Sequence, residues 1–173
     1  MNKNELRIKF KQLRKDILNK NYQNEIIYQK IINNEYINNC DTVLLYSSLS
    51  DEVDTFKMIK YFLKCKKVAL PRVCGNNMDF YYIKSINELK KGSFNILEPT
   101  SDDKVKLDNS VCIVPGICFD KDGYRIGYGK GYYDKYLNNK NIYKIGICFK
   151  ECLLNNIPHD LYDVKVDLIV SSF

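Results

Sequence analysis

The segment that most constrains the fold is Val111-Cys112-Ile113-Val114-Pro115, a short, largely β-branched apolar run closed by Pro115-Gly116. Such a run reads as a buried strand that ends at a turn. Beyond it comes Arg125-Ile126-Gly127-Tyr128-Gly129-Lys130-Gly131-Tyr132-Tyr133-Asp134, with three alternating glycines, two cations and a carboxylate. Tyr132, Tyr133, Tyr136 and Leu137 then recur at helical spacing until Asn138 and Asn139. The order is therefore strand, glycine loop and short helix, which aims backbone N–H groups and a helix start at a common point. Each glycine costs backbone entropy but permits positive φ or close approach, so Gly127, Gly129 and Gly131 point to contact with an anion, phosphate first. Arg125 offers a planar fork to phosphate oxygens, Lys130 a mobile point charge, and Asp134 a hard oxygen ligand for the Mg²⁺ of a nucleoside triphosphate. The P-loop is excluded because Lys130 is followed by Gly131 rather than Ser or Thr, and the later spacing of a dinucleotide fingerprint is missing. The plainer alternative is a glycine-rich surface turn beside a tyrosine-lined core helix.

Elsewhere, strand and helix patterns alternate. Residues 3–32 read as mostly helical, with Leu6, Phe10, Leu13 and Ile17 forming a core stripe. Lys3, Arg7 and Lys11 share an adjoining face, and a charged face of this kind is ordinarily solvated. Strands are expected over 42–48, 67–71, 79–83, 143–149 and 168–171. Asp54 or Thr55 is placed to cap a helix running to Lys64, with Phe56, Ile59, Phe62 and Leu63 inward. Glu52 lies in the connection between strand and helix, where open α/β sheets gather ligands, although a loop acid there can also serve only the helix N-terminus. Residues 87–108 are polar and turn-rich and read as a surface excursion. The pattern implies an α/β fold, a three-layer α/β/α sandwich with a mainly parallel sheet, formed by residues 1–173 as a single domain.

Composition narrows the function classes. Lys and Arg total 27 against 21 acids, a net charge of +6. The basic residues are scattered in short pairs such as Lys66-Lys67, which argues against nucleic acid and for a small polyanionic ligand in a positive cleft. No apolar run approaches the ~20 residues of a membrane span, and the charged N-terminus lacks a signal-peptide core. Seven cysteines without a Cys-x-x-Cys pair fit a reducing, cytoplasmic setting. The sole histidine, His159, has no cysteine pair beside it, so a zinc site is not expected.

The residues 114–120 (Val-Pro-Gly-Ile-Cys-Phe-Asp) and 123–134, from Gly123 through Arg125 to Asp134, closely resemble the signature of the 5-formyltetrahydrofolate cyclo-ligase (methenyltetrahydrofolate synthetase) family. Lys3-Asn4-Glu5-Leu6-Arg7, Asp51-Glu52-Val53-Asp54-Thr55 and Asp163-Val164-Lys165-Val166-Asp167 extend the resemblance over nearly the whole chain. It implies a Rossmann-like sheet related to sugar-phosphate isomerases, and cyclisation of 5-formyltetrahydrofolate with ATP and Mg²⁺. It implies that Lys3 and Arg7 help hold ATP, with Arg125, Gly127, Gly129, Lys130, Gly131 and Tyr133. Arg125 and Lys130 would stabilise the transferring phosphate, and Glu52, Tyr128 and Tyr132 would meet the folate. Asp134 with Asp163, or else Asp167, would hold Mg²⁺. Arg72, at a strand end, is a weaker phosphate candidate. The chain is expected to act as a cytoplasmic monomer on small molecules. A sugar-phosphate isomerase or deaminase would need no ATP, and a nucleotide- or RNA-binding module would leave Glu52 and the two distant carboxylates without roles.

Overall fold

The computed structural model describes residues 1–173. Its centre is a six-stranded sheet built from β1 (Thr42–Leu44), β2 (Lys67–Cys74), β3 (Asn77–Ile83), β6 (Ser110–Val114), β9 (Tyr143–Cys148) and β11 (Leu168–Ser171), in the order β11-β9-β6-β1-β2-β3. All neighbours are parallel except β2 and β3, which form an antiparallel hairpin at one edge. Every residue of β1 and β6 is buried, as expected of central parallel strands covered on both faces. Two small sheets flank the large one. The hairpin of β4 (Leu89–Lys91) and β5 (Leu97–Pro99) is one. The other joins β7 (Cys118–Asp120) to β8 (Arg125–Ile126) and to β10 (Leu153–Leu154).

The helices are α1 (Lys3–Asp16), α2 (Lys20–Ile32), α3 (Glu35–Asn39), α4 (Phe56–Phe62) and α5 (Tyr132–Leu137). Together they complete the three-layer, Rossmann-like α/β/α arrangement, with α2 against β11, α4 against β2 and α5 against β3. A core cluster of 40 buried residues runs through the layers.

Several sequence expectations shift. The helix over 3–32 is two helices, because Ile17 adopts an extended ψ of 116° and redirects the chain so that α2 reaches α4 and β11. The capping box of Asn2 and Glu5 fixes where α1 starts. In α4 the N-cap residue is Thr55, but its hydroxyl turns back to Tyr46 O and it is Asp54 Oδ1 that accepts from Phe56 N–H. The first strand stops pairing as a ladder at Leu44, although Leu45 to Ser47 stay buried. The edge strand β3 runs antiparallel because the two-residue turn Gly75-Asn76 joins it to β2 without a crossover helix.

Phe119 fixes the seating of the small sheet on the large one, since it lies where Cβ atoms on two glycines would be. A Cβ on Gly146 would stand 2.3 Å from Phe119 Cε1, and one on Gly116 would stand 2.6 Å from Phe119 Cε2. Gly146→Ala should therefore destabilise the fold by about 1–3 kcal/mol through overpacking. Thermal denaturation checks this: a melting temperature lowered by several degrees is expected, and an unchanged one would show that Phe119 simply moves aside.

Candidate active site

The chain leaves β1 toward β2 on one side and β6 leads to β9 on the other, so the topological switch lies between β1 and β6. Ligands of open α/β sheets bind at the carboxyl ends of strands at such a point. A cavity of about 370 Å³ opens there, walled by Tyr46, Ser47 and Glu52 after β1, Pro71 and Val73 of β2, and Pro115 after β6. The glycine loop and α5 close the far side with Arg125, Gly127, Tyr128, Lys130, Gly131, Tyr132, Tyr133 and Asp134. Sequence reasoning missed Met78 and the β4–β5 hairpin, which add Ser93, Phe94, Ile96 and Glu98 to the wall. The stretch read as a surface excursion thus reaches the cavity, and Phe94, left 62% exposed at φ 58°, is its most conspicuous apolar edge.

The glycine loop owes its shape to both ends. Before it, buried Asp120 accepts from the N–H groups of Asp122 and Tyr124 and of Ile157, fixing the β7–β8 turn. Within it, Gly129 and Gly131 stand at φ 98° and 67°, a region that disfavours residues with a Cβ. No backbone N–H from Gly127 to Gly131 donates within the chain, so five donors remain for a ligand at this turn. Lys130 is exposed on the wall. Arg125 differs: its buried guanidinium donates from Nη1 to Val164 O and from Nη2 to Asp134 Oδ1, each at 2.8 Å. It positions Asp134 rather than presenting an open fork.

Across the cavity, Glu52 is 8% exposed. Its Oε2 accepts from Leu49 N–H at 2.8 Å and its Oε1 from the Tyr128 hydroxyl at 2.5 Å. Burial raises its pKa above the usual carboxylate value, against the pull of those hydrogen bonds and of Arg14. Arg14 was not foreseen, yet it continues the Leu6, Phe10 stripe at four-residue spacing and is equally buried. The Tyr133 hydroxyl is buried without a hydrogen-bond partner, and Tyr132 donates to Gly75 O at 3.3 Å.

Of the amino-terminal candidates, Arg7 meets the loop from outside and Lys3 does not. Arg7 Nε donates to Gly127 O at 2.8 Å, and its guanidinium lies against Gly129. Lys3 Nζ bridges Asp160 at 2.6 Å and Asp163 at 2.5 Å. Asp167 is drawn away to Lys144, accepting from its N–H and its ammonium. Arg72 lies outside the cavity, stacked on Tyr81 and tied to Asp102, Pro99 and Ser101. No cluster of three acid, histidine or cysteine ligands exists. Of the two carboxylates expected to hold Mg²⁺, Asp134 lines the cavity, whereas Asp163 lies outside its wall with Oδ2 engaged by Lys3 Nζ and the Asp160 N–H. The hydrogen bonds of Asp134 all fall on Oδ1, leaving Oδ2 without a protein donor.

Burial pushes the Asp163 carboxyl up, but Lys3 and the Asp160 N–H outweigh it and hold it below its ordinary 3.8. A depressed carboxylate contributes stability that is present above the ordinary value and lost as pH falls through the folded one. Asp163→Asn should therefore cost about 1 kcal/mol or less near neutrality. That difference should vanish in strong acid. Urea unfolding across pH checks it, and a difference that persisted in acid would assign it to something other than the ion pair.

The fold and site define an α/β protein whose cavity, at the carboxyl ends of a mainly parallel sheet, sets a glycine loop opposite a buried acid. Comparison with known proteins gives the family. The sequence pattern of the 5-formyltetrahydrofolate cyclo-ligase family matches residues 1–172. Mouse 5-formyltetrahydrofolate cyclo-ligase is 34% identical over 165 residues, covering 86% of this chain and 81% of the mouse protein. The Mycoplasma pneumoniae enzyme of that name is 29% identical, with 99% of each chain covered. The NMR structure of Aquifex aeolicus 5,10-methenyltetrahydrofolate synthetase superposes with a TM-score of 0.88 at 31% identity, covering 99% of this chain and 90% of that one. The chain belongs to the 5-formyltetrahydrofolate cyclo-ligase family and is an enzyme of the ligase class.

Proposed function

We propose that the chain catalyses ATP- and Mg²⁺-dependent closure of 5-formyltetrahydrofolate to 5,10-methenyltetrahydrofolate, releasing ADP and phosphate, as a cytoplasmic monomer folded as a single domain. The observation that carries this reading is the division of one cavity between a buried acid, Glu52, and a glycine loop with unpaired N–H groups and Lys130. One end suits the N–H groups of a pterin and the other a polyphosphate.

The chemistry explains why both ends are needed. A formamide oxygen is a poor leaving group and N10 a weak nucleophile. The formyl oxygen attacks the γ-phosphorus as the bond to ADP breaks, giving an N5-iminium phosphate. N10 then bonds to the activated carbon, the carbon–oxygen bond breaks, phosphate leaves with the electron pair, and the N10 proton passes to solvent. Such a transfer calls mainly for positioning and charge stabilisation. Lys130 and the amides of Gly127, Gly129 and Gly131 hold the transferring phosphate, while Arg125 fixes Asp134. Lys3 and Arg7 reach the nucleotide, and the free hydroxyl of Tyr133 serves as a further phosphate donor. Asp134 with Asp163 would hold Mg²⁺, which neutralises phosphate charge when bound. Glu52 accepts from the pterin, and Tyr128 and Tyr132 lie against its rings.

The assay is direct: 5-formyltetrahydrofolate, ATP and Mg²⁺, with the methenyl product followed by near-ultraviolet absorbance and the nucleotide product identified. Stoichiometric ADP is expected, and AMP with pyrophosphate would overturn the intermediate. Lys130→Ala should lower turnover by roughly two to three orders of magnitude with an unchanged melting temperature. A folded variant with near-normal turnover would make Lys130 an ordinary surface lysine. Glu52→Gln should reduce kcat/KM for the folate by about tenfold to a hundredfold. ATP binding by calorimetry should stay intact, and its parallel loss would put Glu52 on the wrong ligand.

A further inference from the structure

Arg14 lies near the end of α1 with its residue surface 2% exposed, the most enclosed arginine of the chain. Its Nη2 donates to Asp51 Oδ2 at 2.6 Å and to the Tyr128 hydroxyl oxygen at 2.7 Å. Its Nη1 lies 3.9 Å from Glu52 Oε1 and 3.5 Å from Gly116 O. Its Nε is buried without a partner. Stability alone does not call for this. Buried ionic groups are often replaced by apolar side chains of similar size without loss, and the same stripe carries Phe10 and Leu6 one and two turns earlier.

What Arg14 does is set a direction. Arginine has donors and no acceptor, so its contact takes a lone pair of the Tyr128 oxygen. The single tyrosine proton is thereby aimed at Glu52 Oε1, 2.5 Å away. We propose that Arg14 is a positioning residue for Glu52: it sets a cation beside this carboxyl and aims the Tyr128 hydroxyl at Oε1, so that the remaining lone pairs face the substrate in one orientation. The proposal rests on the reading of Glu52 as the folate acceptor.

The groups around Glu52 fix the sign. Asp51 beside it and the hydroxyls of Tyr46 after β1 and Tyr133 on α5 are its anionic or titratable neighbours, and Tyr128 donates from the loop. Lys11 lies beyond Tyr128, 5.2 Å from its ring centre. Burial drives the carboxyl up, Arg14 pulls it down and Asp51 pushes it up. Removing Arg14 deletes the cation and leaves Asp51 uncompensated, so both changes move Glu52 upward.

Arg14→Met and Arg14→Lys test this on the full chain. In the Met variant KM for 5-formyltetrahydrofolate should rise about tenfold or more while KM for ATP stays within about twofold. The acidic limb of kcat/KM for the folate should move up by about one pH unit, the size of a single lost charge partner. The Lys variant keeps the charge but not both directed bonds. It should return the limb close to its wild-type position while the folate KM stays raised about threefold or more, and it decides the matter alone if the Met variant does not fold. Carbon NMR of the Glu52 carboxyl, assigned with Glu52→Gln, reads the same titration without turnover. If the wild-type chain does not convert the folate, the proposed function fails, and the NMR shift still decides Arg14. An unmoved Glu52 titration in the Met variant, or equal weakening of both substrates in the Lys variant, would overturn the proposal.

Discussion

The buried Arg125 guanidinium holds together the three segments on which the cavity depends. It leaves β8 just before the glycine loop, bonds Asp134 just after it, and bonds the carbonyl of Val164 near the carboxyl terminus, whose N–H returns to the same Asp134 oxygen. The loop is therefore pinned at entry and exit, and its positive-φ glycines need only close a fixed gap. The Arg125 side chain is 4% exposed and that of Asp134 27%, so losing Asp134 would leave a buried cation without its carboxylate. The loop geometry is thus tied to global stability rather than left to local preference.

From that frame, charge is sorted across the cavity. The loop side carries Lys130, unpaired backbone N–H groups and, just outside, Arg7 and Lys3. The opposite side carries Glu52, held by Tyr128 and Leu49 N–H. Tyr128 belongs to the glycine loop and Glu52 to the loop after β1, so their hydrogen bond couples the two ends of the site. A shift of the glycine loop would disturb the acid, and a change at the acid would be felt by the loop.

Much of this was legible in the sequence, for local reasons. The buried run at Val111 to Val114, the glycine loop and the helix at Tyr132 announce themselves by composition and period, whereas the sheet order was not read from the sequence. Of the charged face of α1, Arg7 meets the glycine loop at Gly127 O, while Lys3 is paired with Asp160 and Asp163 instead. What was hidden depends on long-range packing. Arg14 was not singled out, because nothing local shows that its turn of α1 meets Tyr128. Residues 87–108 looked like surface because their hairpin reaches the cavity only through tertiary folding. The double engagement of Arg125 was equally invisible, since Val164 lies 39 residues away.

The proposed reaction requires the two ends of one cavity to bring the formyl oxygen of the folate into line with the γ-phosphorus of ATP. Turnover of 5-formyltetrahydrofolate labelled with ¹⁸O in the formyl group, followed by mass analysis of the released phosphate, tests this directly. One labelled oxygen should pass from the formyl group into phosphate at each turnover. Unlabelled phosphate with the label appearing in water would contradict it.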